Sequence, residues 1–208
     1  MRKIWLLGFL LFTGLSVAGN SAIASAQTDV ALSLYGAFHA TTNGNGTVQS
    51  PANSAGGIIE LRHISNPLVG YEGTYSYNRA NQTYSVEPGA GTCAVGIPCT
   101  AETVKANAHE VTADWLVSVH AANLRPFVLG GVGLLFNQPS SGQTNTNSAT
   151  KPVFVYGAGL DWGLLPHIGL RFQYRGNLYK APDLTKFYTS TNRFTQTAEP
   201  MIGAYLRF

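Results

Sequence analysis

Eight segments of this chain alternate apolar and polar residues with period two, and the connections between them alternate long and short without exception. Such alternation marks strands with one buried and one contrasting face. Residues 30–39 place Val30, Leu32, Leu34 and Phe38 against Ser33 and His39. Residues 56–64 set Ile59 and Leu61 against Glu60 and Arg62, and residues 68–78 set Val69, Tyr71, Tyr75 and Tyr77 against Glu72, Thr74 and Ser76. Residues 108–119 oppose Val111, Trp115, Val117 and Val119 to Glu110, Thr112, Asp114 and Ser118. Residues 125–136 carry Val128, Val132, Leu134 and Phe136 on one face, with Gly131 and Gly133 on the other. Residues 153–162 oppose Phe154, Tyr156, Leu160 and Trp162 to Gly157, Gly159 and Asp161. The clearest run has Ile168, Leu170, Phe172 and Tyr174 interleaved with Gly169, Arg171, Gln173 and Arg175. Residues 200–208 close the series, Ile202, Leu206 and Phe208 alternating with Gly203, Tyr205 and Arg207.

The long connections are 40–55, 79–107, 137–151 and 180–196, and the short ones are 65–67, 120–123 and 163–166. A water-soluble sandwich has no reason to sort its connections this way. A transmembrane barrel does, with short periplasmic turns at one rim and long external loops at the other. Strands of about 11 residues, tilted, just cross the hydrocarbon layer. In lipid every backbone amide needs a partner, and a closed barrel is the sheet that supplies one. The fold class that follows is all-β: an eight-stranded antiparallel up-and-down transmembrane β-barrel over 27–208. Composition agrees. Only 11% of the residues are charged, against about 25% in soluble domains. Beyond the N-terminus no apolar run approaches the roughly 18 residues of a spanning helix, which disfavours a helical membrane protein.

Residues 1–26 read as a secretory signal peptide: Arg2 and Lys3, an apolar stretch from Ile4 to Leu15, and the small-residue site Ala24-Ser25-Ala26. Without that leader, 11 basic residues face 10 acidic ones, so no basic surface for nucleic acid is expected. Cys93 and Cys99 stand alone in the exported chain, and a disulfide in the second long loop is the expectation. A metal site would want three or four ligands, and no His lies near them. No cofactor is implied: Gly130-Gly131-Val132-Gly133 lacks the helix and the Lys-Ser/Thr of a phosphate loop.

A soluble, ligand-enclosing barrel would put apolar residues inside and charge outside. Here the charges share the face opposite the aromatic stripe, so the stripe faces lipid and the charges face the lumen. Trp162, Phe208, Tyr71 and Phe38 fall near strand ends, where aromatic girdles form. The inward set is Glu60, Arg62, Glu72, Glu110, Asp114, Asp161, Arg171, Arg175 and Arg207. In a narrow lumen these charges must pair. Arg62 faces Glu72, and Asp161 faces Arg171 or Arg175. The first strand carries no inner charge in this reading, which leaves Arg207 to reach across the lumen or towards water.

Several stretches, Tyr71-Glu72-Gly73-Thr74-Tyr75-Ser76-Tyr77, Arg125-Pro126-Phe127-Val128-Leu129-Gly130-Gly131-Val132-Gly133, Tyr156-Gly157-Ala158-Gly159-Leu160-Asp161-Trp162 and Gly169-Leu170-Arg171-Phe172-Gln173-Tyr174-Arg175, together with the leader, resemble the small outer-membrane β-barrels often called OmpA-like or porin-family barrels. The resemblance implies a bacterial outer-membrane location and contact with outer-membrane lipid. It also implies that Phe208 marks the last strand for the outer-membrane assembly machinery. It implies a structural or surface-interaction role, with the loops free to meet an extracellular ligand. The peptidoglycan-binding domain of longer relatives has no counterpart in this chain.

Two alternatives compete with that role. The charged lumen is also what a narrow diffusion channel would carry. His63-Ile64-Ser65-Asn66 resembles the His-x-Ser-Asn motif of outer-membrane lipid A deacylases, with Glu72 as the acid available to orient the His. Against the enzyme, the motif falls on a short periplasmic turn, away from an outer-leaflet substrate, and Ser-Asn-Pro is good turn chemistry. No catalytic residue, cofactor ligand or metal ligand is therefore assigned.

Overall fold

The computed structural model describes residues 27–66, 68–88 and 100–208. The leader and both cysteines, and with them the signal-peptide and disulfide expectations, lie outside the described residues. The described chain is all β. Eight strands form one closed antiparallel barrel: β1 (Gln27–His39), β4 (Ser54–Ile64), β5 (Val69–Arg79), β8 (Ala106–Ser118), β9 (Leu124–Pro139), β10 (Ala149–Gly163), β11 (Ile168–Lys180) and β12 (Phe194–Arg207). Each pairs with its sequential neighbour in the barrel, and β12 closes on β1 from Asp29↔Arg207 to His39↔Thr197. Closure leaves no barrel edge unpaired, the condition for a sheet in lipid.

The barrel is inside out relative to a water-soluble domain. Leu32, Leu34, Leu61, Tyr71, Trp115, Val128 and Val132 are exposed on its outer wall, while Asp29, Glu60, Arg62, Glu72, Asp161, Arg171 and Arg175 are buried within it. The alternation dictates this, since a pleated strand sends successive side chains to opposite faces. In the lumen, glycine allows strand and side chain to close up. A Cβ on Gly131 would collide with Ala113 O and the Asp114 carboxylate, and one on Gly203 with Leu32 O and the Ser33 hydroxyl.

The short turns are closed locally. The Asn66 side-chain oxygen accepts from the amides of Leu68 and Val69 at 3.0 and 2.8 Å, an Asx turn. At the opposite rim the described residues of the first two long connections are not wholly irregular. They carry a second, four-stranded sheet in the order β2 (Thr42–Gly44), β3 (Thr47–Pro51), β6 (Gln82–Val86), β7 (Glu102–Val104). Asn45 and Gly46, both at positive φ, make the tight β2–β3 hairpin, where Asn-Gly is the favoured pair. The last strand also starts earlier than its alternation suggested, at Phe194 rather than residue 200. Pro200 lies inside it. There the ladder to β1 is interrupted, stepping from Tyr35↔Met201 to Phe38↔Ala198, because proline has no amide hydrogen to donate.

Candidate functional site

The lumen charges fall into two tiers. In the lower tier Arg62 and Arg171 are fully buried and bind four carboxylates between them. Arg62 reaches Glu72 at 2.6 Å and Asp161 at 3.0 Å. Arg171 reaches Asp161 and Asp29, both at 2.8 Å, with Glu60 and Glu72 at 3.6 and 3.7 Å. Ser33 donates to Glu60 at 2.9 Å. The Arg62 guanidinium lies over the Phe127 ring at 4.1 Å, and that of Arg171 lies 5.5 Å from the Tyr205 ring centroid. Charge-assisted contacts and ring faces thus surround both guanidinium groups.

The register shows why these residues meet. Asp29 is paired with both Arg62 and Arg207, Arg62 with Glu72, and Asp161 with both Arg171 and Arg125. Opposite charges on directly facing strand positions stabilise one another. In the upper tier Arg175 contacts Glu110 at 3.3 Å and Asp114 at 3.8 Å. It also donates to Thr74 and Thr112 at 3.2 and 3.3 Å. Asn177 bridges Glu110 and Glu199, 3.0 Å from each.

Eight of the nine inward charges read from sequence are buried in these tiers, with Arg175 bound to Glu110 and Asp114 rather than to Asp161. Arg207 is different. It is half-buried at the periplasmic rim and donates to the Tyr205 hydroxyl at 3.2 Å, outside the ion pairs. The expectation that the first strand has no inner charge is wrong, because Asp29 is fully buried on Arg171. Asp29 shares the parity of Ser33 and sits one residue before the run as first bounded. Glu199 stands likewise one residue before the run that opens at Pro200, and is buried inside the longer strand. Arg125, buried beside the rim and bonded to Gln27, completes the set.

His63 and Ser65 assemble no catalytic triad with Glu72. His63 Nδ1 contacts the Thr28 hydroxyl at 2.9 Å, and the Ser65 amide closes the turn on Val69 O at 3.1 Å. Glu72 points into the lumen and binds Arg62. The parity of β5 keeps it off the face where His63 packs at a tilt against Tyr71, ring centroids 5.1 Å apart. Among the described residues no three His, Cys, Asp or Glu side chains gather as metal ligands.

Outside the membrane, Tyr84, Val104, Ala106, Leu184 and Tyr188 form an apolar core beneath the second sheet. Tyr84 donates to Pro182 O at 3.1 Å and accepts from the Leu184 amide at 3.1 Å. Burial pushes the Tyr84 hydroxyl above its ordinary range, which keeps it a donor. Thr185 donates to Glu102 at 2.6 Å, Asn45 to Ser190 O at 2.8 Å, and the Asn147 amide to Leu184 O at 3.0 Å. The described residues of all four long connections therefore lock into one outer head.

An eight-stranded barrel with an apolar outer wall, a charged lumen and a head at one rim is a transmembrane barrel of the bacterial outer-membrane class. The chain belongs to the family described as outer membrane protein beta-barrel domain, whose model matches residues 7–197. Among solved structures it is similar to Neisserial surface protein A, with TM-score 0.56 and 14% identity over 87% of this chain and 97% of that one. It is similar to OprG from Pseudomonas aeruginosa, with TM-score 0.56 and 9% identity over 89% and 97%. A third likeness is to Ail, the attachment invasion locus protein of Yersinia pestis, solved with the heparin analogue sucrose octasulfate, with TM-score 0.51 and 17% identity over 88% and 99%. Identities this low speak to the fold alone. No curated protein matches the chain in sequence.

Proposed function

We propose that this protein is a closed outer-membrane barrel that anchors and presents its outer head, with a structural and surface-interaction role and no catalytic one. The observation that carries the reading is the lower tier, where Arg62, Glu60, Glu72, Asp29, Asp161 and Arg171, all buried, share one network across the lumen. An eight-stranded barrel is just wide enough for side chains to fill, and this network fills it. The head is the working part, as loops on a rigid scaffold commonly are, and its polar surface suits an extracellular ligand. The remaining elements of the reading are a leader removed after Ala26, a Cys93–Cys99 disulfide in the second long loop, and delivery by the assembly machinery through the strand ending at Phe208.

Liposome swelling tests the closed lumen. Vesicles carrying the refolded protein should swell in small sugars no faster than empty vesicles. Swelling that depends on sugar size would favour the diffusion channel, the alternative that the polar upper lumen supports. Mass spectrometry of lipid A from cells expressing wild type or Ser65→Ala separates out the enzyme reading. Identical lipid A is expected, and a fatty-acid loss that requires Ser65 would establish catalysis.

A further inference from the structure

Above the lower tier the lumen holds a cavity walled in part by Ser76, Glu110, Asn137, Asn177, Tyr179 and Glu199. Its free interior admits about one water-sized particle. Three of its side chains, each more than nine-tenths buried, have polar atoms without a hydrogen-bond partner: Glu199 Oε2, Asn177 Oδ1 and Asn137 Nδ2. Glu110 and Glu199 share a single amide nitrogen, that of Asn177, 3.0 Å from each.

The charges around this cavity do not balance. Glu199 stands opposite Arg175 in the strand register, yet the Arg175 ion pairs run to Glu110 and Asp114. Among the described residues Glu199 has no ion pair, so three carboxylates meet one guanidinium. In the lower tier Asp29, Glu60, Glu72 and Asp161 meet Arg62 and Arg171, with Arg207 and Arg125 as strand partners of Asp29 and Asp161. Counted by ion pairs both tiers hold more carboxylates than guanidinium groups, and in the upper tier that surplus borders the cavity. A water in the cavity would satisfy the orphaned atoms and leave the two surplus charges untouched. A buried carboxylate is neutralised by a proton or compensated by a counter-charge, and the orphaned oxygens beside these two suit the second.

We propose that this cavity binds one hard divalent cation of the calcium class, held by the carboxylates of Glu110 and Glu199 and the amide oxygens of Asn177 and Asn137. Carboxylate and amide oxygens are the ligands such cations choose. Turning the Asn137 amide over places its oxygen where the unpartnered nitrogen stands, an exchange that leaves the side-chain shape unchanged. Magnesium keeps several waters, for which the cavity has no room. The site lies apart from the Arg62–Arg171 layer and does not depend on whether that layer stops ion flow.

Terbium reports on such a site, because Tyr179 in the cavity wall sensitises its emission. Refolded full-length wild type should give saturable terbium emission at one ion per chain, displaced by calcium. E199Q keeps the shape and removes the charge. It should bind about tenfold or more weakly while retaining the β-sheet circular dichroism of the wild type, and N137A repeats the test with a neutral ligand removed. Calcium should also raise the denaturant midpoint of the wild type relative to EDTA, and leave that of E199Q unmoved. Emission that does not saturate, or equal affinity in wild type, E199Q and N137A, would overturn the proposal.

Discussion

Arg171 holds the lower tier together, since its guanidinium touches Asp29, Glu60, Glu72 and Asp161. A buried ion network is not proof of high stability, because desolvation offsets much of the attraction. Removing one partner is costly, however, as it strands the rest. Arg171→Ala should cost about 3–5 kcal/mol and lower the unfolding temperature well below that of Lys186→Ala in the outer head. Equal midpoints in a thermal melt would show that the network adds nothing. Its neighbours test the facing of β11. Phe172 is 39% exposed on the lipid side, and Gln173 is 5% exposed in an acid-rich lumen. Phe172→Arg should lose roughly 2–4 kcal/mol of folding free energy in bilayers, whereas Gln173→Arg should assemble at close to wild-type yield. At this scale the inward charges were legible from parity alone. Asp29 and Glu199 are not, because each sits one residue outside a run that its apolar residues delimit.

Strands and turns show a different limit. Period-two alternation found every barrel strand because one face meets lipid and the other the lumen, so the contrast is chemical. The outer sheet has little such contrast: Thr47–Pro51 has Val48 and Pro51 on opposite faces, and Gln82–Val86 offers only Tyr84 and Val86. Asn45-Gly46 was the readable signal there, as a hairpin turn between two short strands. The few apolar residues of the head lie far apart in sequence and meet only once strands and loops come together. Tyr84 anchors that core and is 1% exposed. Tyr84→Ala should destabilise the head by roughly 3–5 kcal/mol. Limited proteolysis should then cleave the long loops quickly and leave the barrel's folded gel mobility unchanged. A barrel that fails to assemble would show that head and barrel fold as one unit. Cys93→Ser should be milder, since the disulfide proposed with Cys99 would close so short a loop that it adds only about 2–3 kcal/mol, and membrane assembly should persist.

The whole molecule separates two jobs by height. Lipid-facing aliphatic and aromatic side chains set its place in the membrane. The Arg62–Arg171 layer spans the lumen, and the described residues of all four long connections meet in one head. Several barrel strands, such as β9 with 16 residues and β10 with 15, exceed the 9–11 or so that a membrane requires, which lifts the head clear of the bilayer. The closed lumen is the claim on which the anchoring role rests, and single-channel recording from purified monomer in a planar bilayer tests it most directly. The account predicts no steady conductance from the wild type and measurable openings after the paired substitution of Arg62→Ala and Arg171→Ala. A steady, sizeable conductance from the wild-type monomer would contradict it.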